Sequence, residues 1–318
     1  MKITELLKDD KPCISCELFP PKAGSELQNA LKIVDKIAEI KPHFMSVTYG
    51  AGGTSAGQTV AIAKAVEEHN IPALAHLTCI DATGEGIEGM LGKFRDNGIQ
   101  NVLALRGDAV TDKPREFMHA SDLMRKISAS GDFCIGGACY PEGHPEAGSL
   151  DKDIENTKKK IDAGCEFLVA QMCFDNNIMY SYMYRLLRNG IDVPVVAGIM
   201  PVTNAKQINR ICELSGTKLP PHYRAIVERF ADDPQALMQA GILLPMAAIE
   251  YEAYQFSFKK MQEAAALYDL LREKIGAERK VISIFGGSGS GKTTMAEILQ
   301  QQFLADGIGC FIVHGDDY

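Results

Sequence analysis

Over roughly the first 200 residues, short apolar runs rich in Val, Ile, Ala and Phe alternate with longer polar stretches in which apolar residues recur at helical spacing. The runs predict strands over Ile14 to Leu18, Phe44 to Tyr49, Ala73 to Cys79, Asn101 to Arg106, Phe133 to Tyr140, Phe167 to Gln171 and Val195 to Met200. Between them the spacing predicts helices over Leu27 to Ile40, Thr59 to His69, Gly86 to Asn97, Ala120 to Ser128, Leu150 to Ala163 and Ile178 to Asn189. In the first helix Leu27, Leu31, Val34 and Ile37 share one face. Asn97-Gly98 and Asn189-Gly190 close two of the helices before the next strand. A series of strand-then-helix units of this kind implies a parallel sheet covered on both faces.

Two architectures build such a sheet: an open doubly wound one and a closed (β/α)₈ TIM barrel. The polar residues decide between them. Glu17, Thr48, His76, Arg106-Gly107-Asp108, Tyr140 and Gln171 all stand at or just past the C-terminal ends of successive strands. A barrel gathers those ends at one mouth, whereas an open sheet spreads them along an edge. No G-x-G-x-x-G follows the first strand, so a dinucleotide-binding open sheet has little support. The strand pattern then stops one short. Helical stretches near Asn204 to Ser215 and Asp233 to Ile242 flank Pro220-Pro221, and Leu243 to Lys280 reads as mostly helical. The expectation is an α/β chain with a TIM barrel of seven βα units over 1–242, its eighth strand missing or replaced. A helical connector over 243–279 and a separate segment over 280–318 would follow. A helix over Phe256 to Ile275 and a strand over Val281 to Phe285 are the candidates for the empty βα position.

Composition narrows the class. Of 318 residues 46% are hydrophobic and 23% charged, and 33 Lys and Arg against 41 Asp and Glu give a net charge of −8. That balance offers no general attraction to nucleic acid or to an anionic membrane. No apolar run is long enough to cross a bilayer, and Met1 to Pro12 lacks a signal-peptide core, so the cytoplasm is expected. The nine cysteines are thinly spread and should be free thiols there. Cys13 and Cys16 form a lone C-x-x-C without a second pair or a neighbouring His, which reads as packing; no metal site is expected.

Glu17 sits at the end of an apolar strand, just before two prolines. Desolvation there would raise its pKa and suit a general acid; a structural ion pair is the alternative. Arg106-Gly107-Asp108 places a cation and a carboxylate around a glycine, fit for a ligand or for a plain salt-bridged turn. Ser46-Val-Thr48-Tyr49-Gly-Ala51-Gly-Gly53 runs a strand into a glycine-rich loop that could offer backbone N–H groups to phosphate. Tyr140-Pro-Glu-Gly-His144-Pro-Glu-Ala147 is a stiff polar loop of a kind that more often serves function than packing. In the helix after it, Asp153, Asn156 and Lys160 share a face and Lys159 lies beside them, either a solvated face or a grip for ribose and phosphate.

Six stretches, in order, resemble methylenetetrahydrofolate reductases over roughly residues 10–242. They are Glu17-Leu-Phe-Pro-Pro-Lys22, Ser46 to Gly53, Ala75-His-Leu-Thr-Cys79, Asn101 to Asp108, Tyr140 to Ala147 and Gly198-Ile-Met-Pro-Val-Thr-Asn204. The resemblance implies a barrel holding FAD non-covalently, reduced by NADH or NADPH, which then passes a hydride to 5,10-methylenetetrahydrofolate in a ping-pong cycle. It implies that Glu17 is the acid, that Asp108 is the carboxylate near flavin and folate, and that Gln171 and Gln207 contact substrate. It also implies FAD contacts by Thr48, Tyr49, Ala51, His76, Arg106, Gly107, Asp108, Ala120, Tyr140, His144, Ala147, Asp153, Asn156, Lys159 and Lys160. The chain departs from the family pattern at His119, where many members carry Tyr, and at Ile211, where some carry an aromatic residue. The family's last strand is not recognisable. A homo-oligomer is compatible with all of this, and no nucleic-acid or membrane partner is expected.

The strand Val281 to Phe285 leads into Gly286-Gly-Ser-Gly289-Ser-Gly291-Lys292-Thr293-Thr294 and a helical pattern from Met295 to Leu304. This is G-x-x-x-x-G-K-[ST] in strand–loop–helix context, where backbone N–H groups and Lys292 hold phosphates and Thr293 can reach Mg²⁺. Cys310 to Tyr318 resembles the second strand of uridine kinase or phosphoribulokinase-like proteins. The expectation is a truncated kinase-like segment, able at most to bind ATP and Mg²⁺ and incapable of phosphotransfer. Two competing readings follow: a nucleotide-binding kinase-type protein with a reductase passenger, and a flavin- or folate-binding barrel of impaired activity.

Overall fold

The structure, a computed structural model, describes residues 1–8, 13–21, 27–49, 56–108, 115–249, 299–300 and 303. The chain divides into two compact units. The first takes Met1–Cys139, Asp151–Ala170 and Val193–Ala197; the second takes Tyr140–Leu150, Gln171–Asp192 and the described residues from Gly198 onward.

The first unit contains all seven strands: β1 (Ser15–Leu18), β2 (Phe44–Val47), β3 (Ala73–Thr78), β4 (Asn101–Leu105), β5 (Cys134–Cys139), β6 (Phe167–Ala170) and β7 (Val195–Val196). They pair in chain order and every pair is parallel. Side chains alternate across a strand, so one face collects Phe44, Leu74, Leu103, Cys134 and Phe167. These five form a single buried cluster with Ile3, joined at its margin by Cys13 and Val196. One cluster can touch residues of every strand from β2 to β7, and Cys13 just ahead of β1, only if the sheet curls around it, as a barrel wall does. Among the described residues there is no eighth strand, and Val281 to Phe285 lies outside them.

The helix α1 (Ile3–Leu6), unforeseen in the charge-alternating N-terminus, inserts fully buried Ile3 into that cluster. The helices α2 (Leu27–Ala38), α3 (Ala56–Glu68), α4 (Gly84–Asp96), α5 (Ala120–Ser130) and α6 (Leu150–Asp162) follow the strands as the spacing predicts. In α2 Val34 is buried and Leu27, Leu31 and Ile37 are half-buried, which is the predicted face. β1 ends at Leu18, where its apolar run ends, and β2 to β7 end one to four residues earlier than theirs. The largest difference is β7, which keeps two residues because Gly198 and Pro201 follow it closely.

The second unit is built from α7 (Asn176–Arg188), α8 (Ala205–Ser215), α9 (Pro221–Arg229) and α10 (Pro234–Ile249). Its core is Val202, Ile208, Tyr223, Val227 and Leu237. Pro220-Pro221 starts α9, a helix the spacing did not predict, since proline in the first turn of a helix forfeits no hydrogen bond. The domain boundary expected at 242 falls inside α10. At Gly241 in this helix a Cβ would run into the Val202 carbonyl, so a bare Cα is what admits the close approach. Leu299, Gln300 and Phe303 are helical, as expected for that stretch. Among the described residues no helix is long and apolar enough to cross a membrane.

Candidate active site

The parallel register of the first two strands sets Glu17 directly beside Ser46. Both point to the inner face, and the Ser46 hydroxyl donates to Glu17 Oε2 at 3.3 Å. One strand further, His76 Nε2 lies 3.8 Å from the same oxygen. His76 is buried, and burial pushes its pKa down to about 4. The ring is therefore neutral at physiological pH, and the 3.8 Å contact is not an ion pair. Burial raises the Glu17 carboxyl above the usual range and the Ser46 hydrogen bond pulls it back. The side chain is still 44% exposed, so water limits the rise. The direction is the one expected for a desolvated carboxyl, and among the described residues no cation contacts Glu17.

Past the ends of β3 and β4 lies a cavity of about 390 Å³. Leu77, Ile80, Ile87, Met90 and Leu105 give it apolar walls; Tyr49, Thr78, Asp81, Thr83 and Asp108 supply polar groups. Ligand cavities have this size and composition. Gly107 has φ +80°, and a Cβ there would come 2.8 Å from Thr78 Cβ. A side chain is barred on both counts. Arg106 turns back on its own loop, with Nε donating to the Gly107 carbonyl at 3.3 Å, while the Arg106 carbonyl accepts from Cys79 and Ile80. Thr48 uses its carbonyl to accept from the Thr59 hydroxyl at 3.0 Å. Ala51 and the rest of the glycine-rich loop to Gly53 lie outside the described residues.

The helix α6 departs from expectation. Asp153 is buried, the Thr157 hydroxyl donates to its carbonyl, and Lys160 Nζ donates to the Ala138 carbonyl at 2.7 Å. The expected grip is thus split: Asp153 and Lys160 are on the covered face, while Lys159, exposed, donates to half-buried Asn156 at 3.2 Å. Ala120 opens α5 behind His119, whose backbone N–H donates to Asp122 Oδ2 at 2.9 Å. Cys13 and Cys16 are both half-buried, and desolvation raises both thiols, which fits packing rather than redox chemistry.

The remaining expected residues belong to the second unit. Tyr140 and His144 meet edge to face, centroids 4.6 Å apart, and the His144 carbonyl accepts from the Ala147 N–H. Glu142 takes the Lys218 N–H on both carboxylate oxygens, at 3.0 and 3.1 Å. Gln171 is half-buried at the start of a segment of this unit, and Gln207, in the first turn of α8, is exposed. Ile211 is half-buried on the same helix.

A family model described as methylenetetrahydrofolate reductase matches residues 2–275. The chain belongs to the methylenetetrahydrofolate reductase family. The match corrects the expectation that the likeness ends near 242, because it takes in α10 and most of the supposed connector; it stops before the Gly286 to Thr294 motif, which lies outside the described residues. The 5,10-methylenetetrahydrofolate reductase of Escherichia coli (strain K12) is 35% identical over 239 residues, 74% of this chain and 81% of the relative. That of Pectobacterium carotovorum is 34% identical over 238 residues, 74% and 80% of the two chains. Methylenetetrahydrofolate reductase (NADH) 1 of Arabidopsis thaliana is 34% identical over 259 residues, 76% of this chain but 44% of that longer one. A solved structure of an uncharacterized protein from Clostridium thermocellum, which binds two copies of 5-methyl-5,6,7,8-tetrahydrofolic acid, superposes with a TM-score of 0.56 at 14% identity. It covers 94% of this chain and 99% of that one and attests the fold. Two side chains that motif reading left unassigned share a face with Glu17 and His76: Ser46, bonded to Glu17, and Thr78, which lines the cavity. Their signal is the two-residue alternation along strands β2 and β3, which carries each to the face of Glu17 and His76.

Proposed function

We propose that the chain reduces 5,10-methylenetetrahydrofolate to 5-methyltetrahydrofolate, with FAD as cofactor and NADH or NADPH as reductant. The observation that carries this reading is Glu17: a partly desolvated carboxyl, bonded by Ser46 and flanked by a neutral imidazole, in a member of this family. The methylene carbon of the substrate bridges two nitrogens, and opening that ring requires a proton on the departing one. A carboxyl held above its usual pKa keeps that proton to higher pH than a solvated one. When bound, FAD supplies the hydride chemistry.

The residues present fit such a group. The cavity beside Tyr49, Thr78, Gly107 and Asp108 has apolar walls for a flat ring, and the buried His76 Nε2 has no hydrogen-bond partner among the described residues. Asp108 and Tyr49 would orient it, and Gly107 lines the same cavity; Thr48, His76 and Arg106, at the neighbouring strand ends, are proposed as further contacts. Within the second unit the resemblance points to Gln171 and Gln207 as substrate contacts and to Tyr140, His144 and Ala147 as cofactor contacts; within the first it points to Asn156 and Lys159. The test is optical. Purified protein should be yellow, bleach with NADH or NADPH without oxygen, and recolour on adding methylenetetrahydrofolate. Yellow protein that bleaches but never recolours would support the impaired-barrel reading instead, and colourless protein would remove the flavin.

For Gly286, Gly289, Gly291, Lys292, Thr293 and Thr294 the motif alone supports phosphate binding, with ATP and Mg²⁺ as the ligand. Calorimetric titration of the full chain with Mg-ATP should give a signal that Lys292→Ala abolishes; no heat in the unaltered chain rejects it.

A further inference from the structure

We infer that Ser46 is a positioning residue for Glu17: its hydroxyl fixes carboxyl oxygen Oε2 and sets the pH at which the acid gives up its proton. The inference rests on the reading of Glu17 as the acid of the reaction.

Ser46 stands in β2, a strand in which all four residues are buried, and is itself only 7% exposed. A hydroxyl in that setting is costly unless it is hydrogen-bonded. Its partner is the carboxyl beside it in register, at 3.3 Å. A hydroxyl that donates to a carboxylate stabilises the charged form and so opposes the effect of burial. Two influences of opposite sign therefore meet on one group, and Ser46 is the one that a single atom can remove.

The geometry also limits what else can reset Glu17. Its neighbours along β1, Cys16 and Leu18, point to the opposite face. The inner face of β2 adds Ser46, and Tyr49 follows that strand; β3 adds His76; Arg106 and Asp108 follow β4. Of these, His76 has a contact to the carboxyl, at 3.8 Å on the same Oε2, and it is neutral across the working range. A neutral ring supplies no titrating charge of its own, which leaves the hydroxyl as the tuning contact among the described residues.

The experiment follows the Glu17 carboxyl directly and turnover separately. Protein labelled with ¹³C at glutamate side-chain carboxyls is titrated by NMR, with Glu17→Gln identifying the resonance. In Ser46→Ala the Glu17 pKa should rise by about half to one unit, and in Ser46→Thr, which keeps the hydroxyl, it should return toward the original value. Ser46→Cys, a weaker donor of similar size, should fall between. In Ser46→Ala the fall of flavin reoxidation by methylenetetrahydrofolate at high pH should move upward by the same amount. A carboxyl that titrates unchanged in folded Ser46→Ala or Ser46→Cys overturns the inference. A carboxyl that moves while the rate profile stays put upholds the positioning role and instead removes Glu17 as the acid.

Discussion

The backbone N–H of Ile3 donates to Asn101 Oδ1 at 2.8 Å, joining residues 98 positions apart in the chain. The Asn101 amide in turn donates to the Met1 and Ala73 carbonyls, at 3.1 and 3.2 Å. One fully buried side chain thus ties the N-terminal helix to two strands of the curled sheet beside the apolar cluster. Asn101→Leu would keep the volume and leave these groups unpaired, so it should cost about 2–4 kcal/mol in urea unfolding. Ile3→Ala should cost a similar amount through its cavity, about 2–4 kcal/mol. The double variant should lose less than the sum, because both changes release the same helix. Strict additivity would separate the two effects.

Gly107 and Thr78 make the second prediction. Gly107→Ala meets both a left-handed backbone and the Thr78 side chain, and should destabilise the protein by about 1–3 kcal/mol while weakening flavin retention. Adding Thr78→Ala should recover part of the stability, since it removes the contact and not the φ. Unchanged stability and flavin content in Gly107→Ala would contradict this account of the loop.

How much of this could be seen beforehand varies by residue. The positions of β1 to β6 and of α2 to α8 follow from periodicity because each is long enough to show its repeat. Glu17 and His76 were visible as polar residues in apolar runs. Ser46 was not, since a serine in a strand is unremarkable until register puts a carboxyl beside it. On α6 the spacing grouped Asp153 and Lys160 correctly, yet spacing cannot tell which face turns inward, and this polar pair proved to be covered. The helix α9 was not predicted, because proline both ends and begins helices and so gives no direction by itself. Neither local pattern nor motif indicated α1, whose four residues are held by contacts to distant strands.

His76 predicts a pH effect on stability. Its pKa falls from 6.5 unfolded to about 4 folded, so the unfolded chain takes up a proton first as the medium is acidified. The stabilisation that His76 contributes is complete above about 6.5 and is lost progressively as pH falls toward 4. Denaturant midpoints should drop across that window, and His76→Gln should flatten the drop while leaving the midpoint at pH 8 less affected. An equal slope in both proteins would contradict the buried neutral ring.

Glu17→Gln, followed by stopped-flow absorbance of the flavin in each half-reaction, tests the central claim most directly. The account predicts bleaching by NADH or NADPH at close to the original rate, and recolouring by methylenetetrahydrofolate slowed by about 10²–10⁴-fold. Recolouring at the original rate would contradict it, since the ring opening would then draw its proton from somewhere other than Glu17.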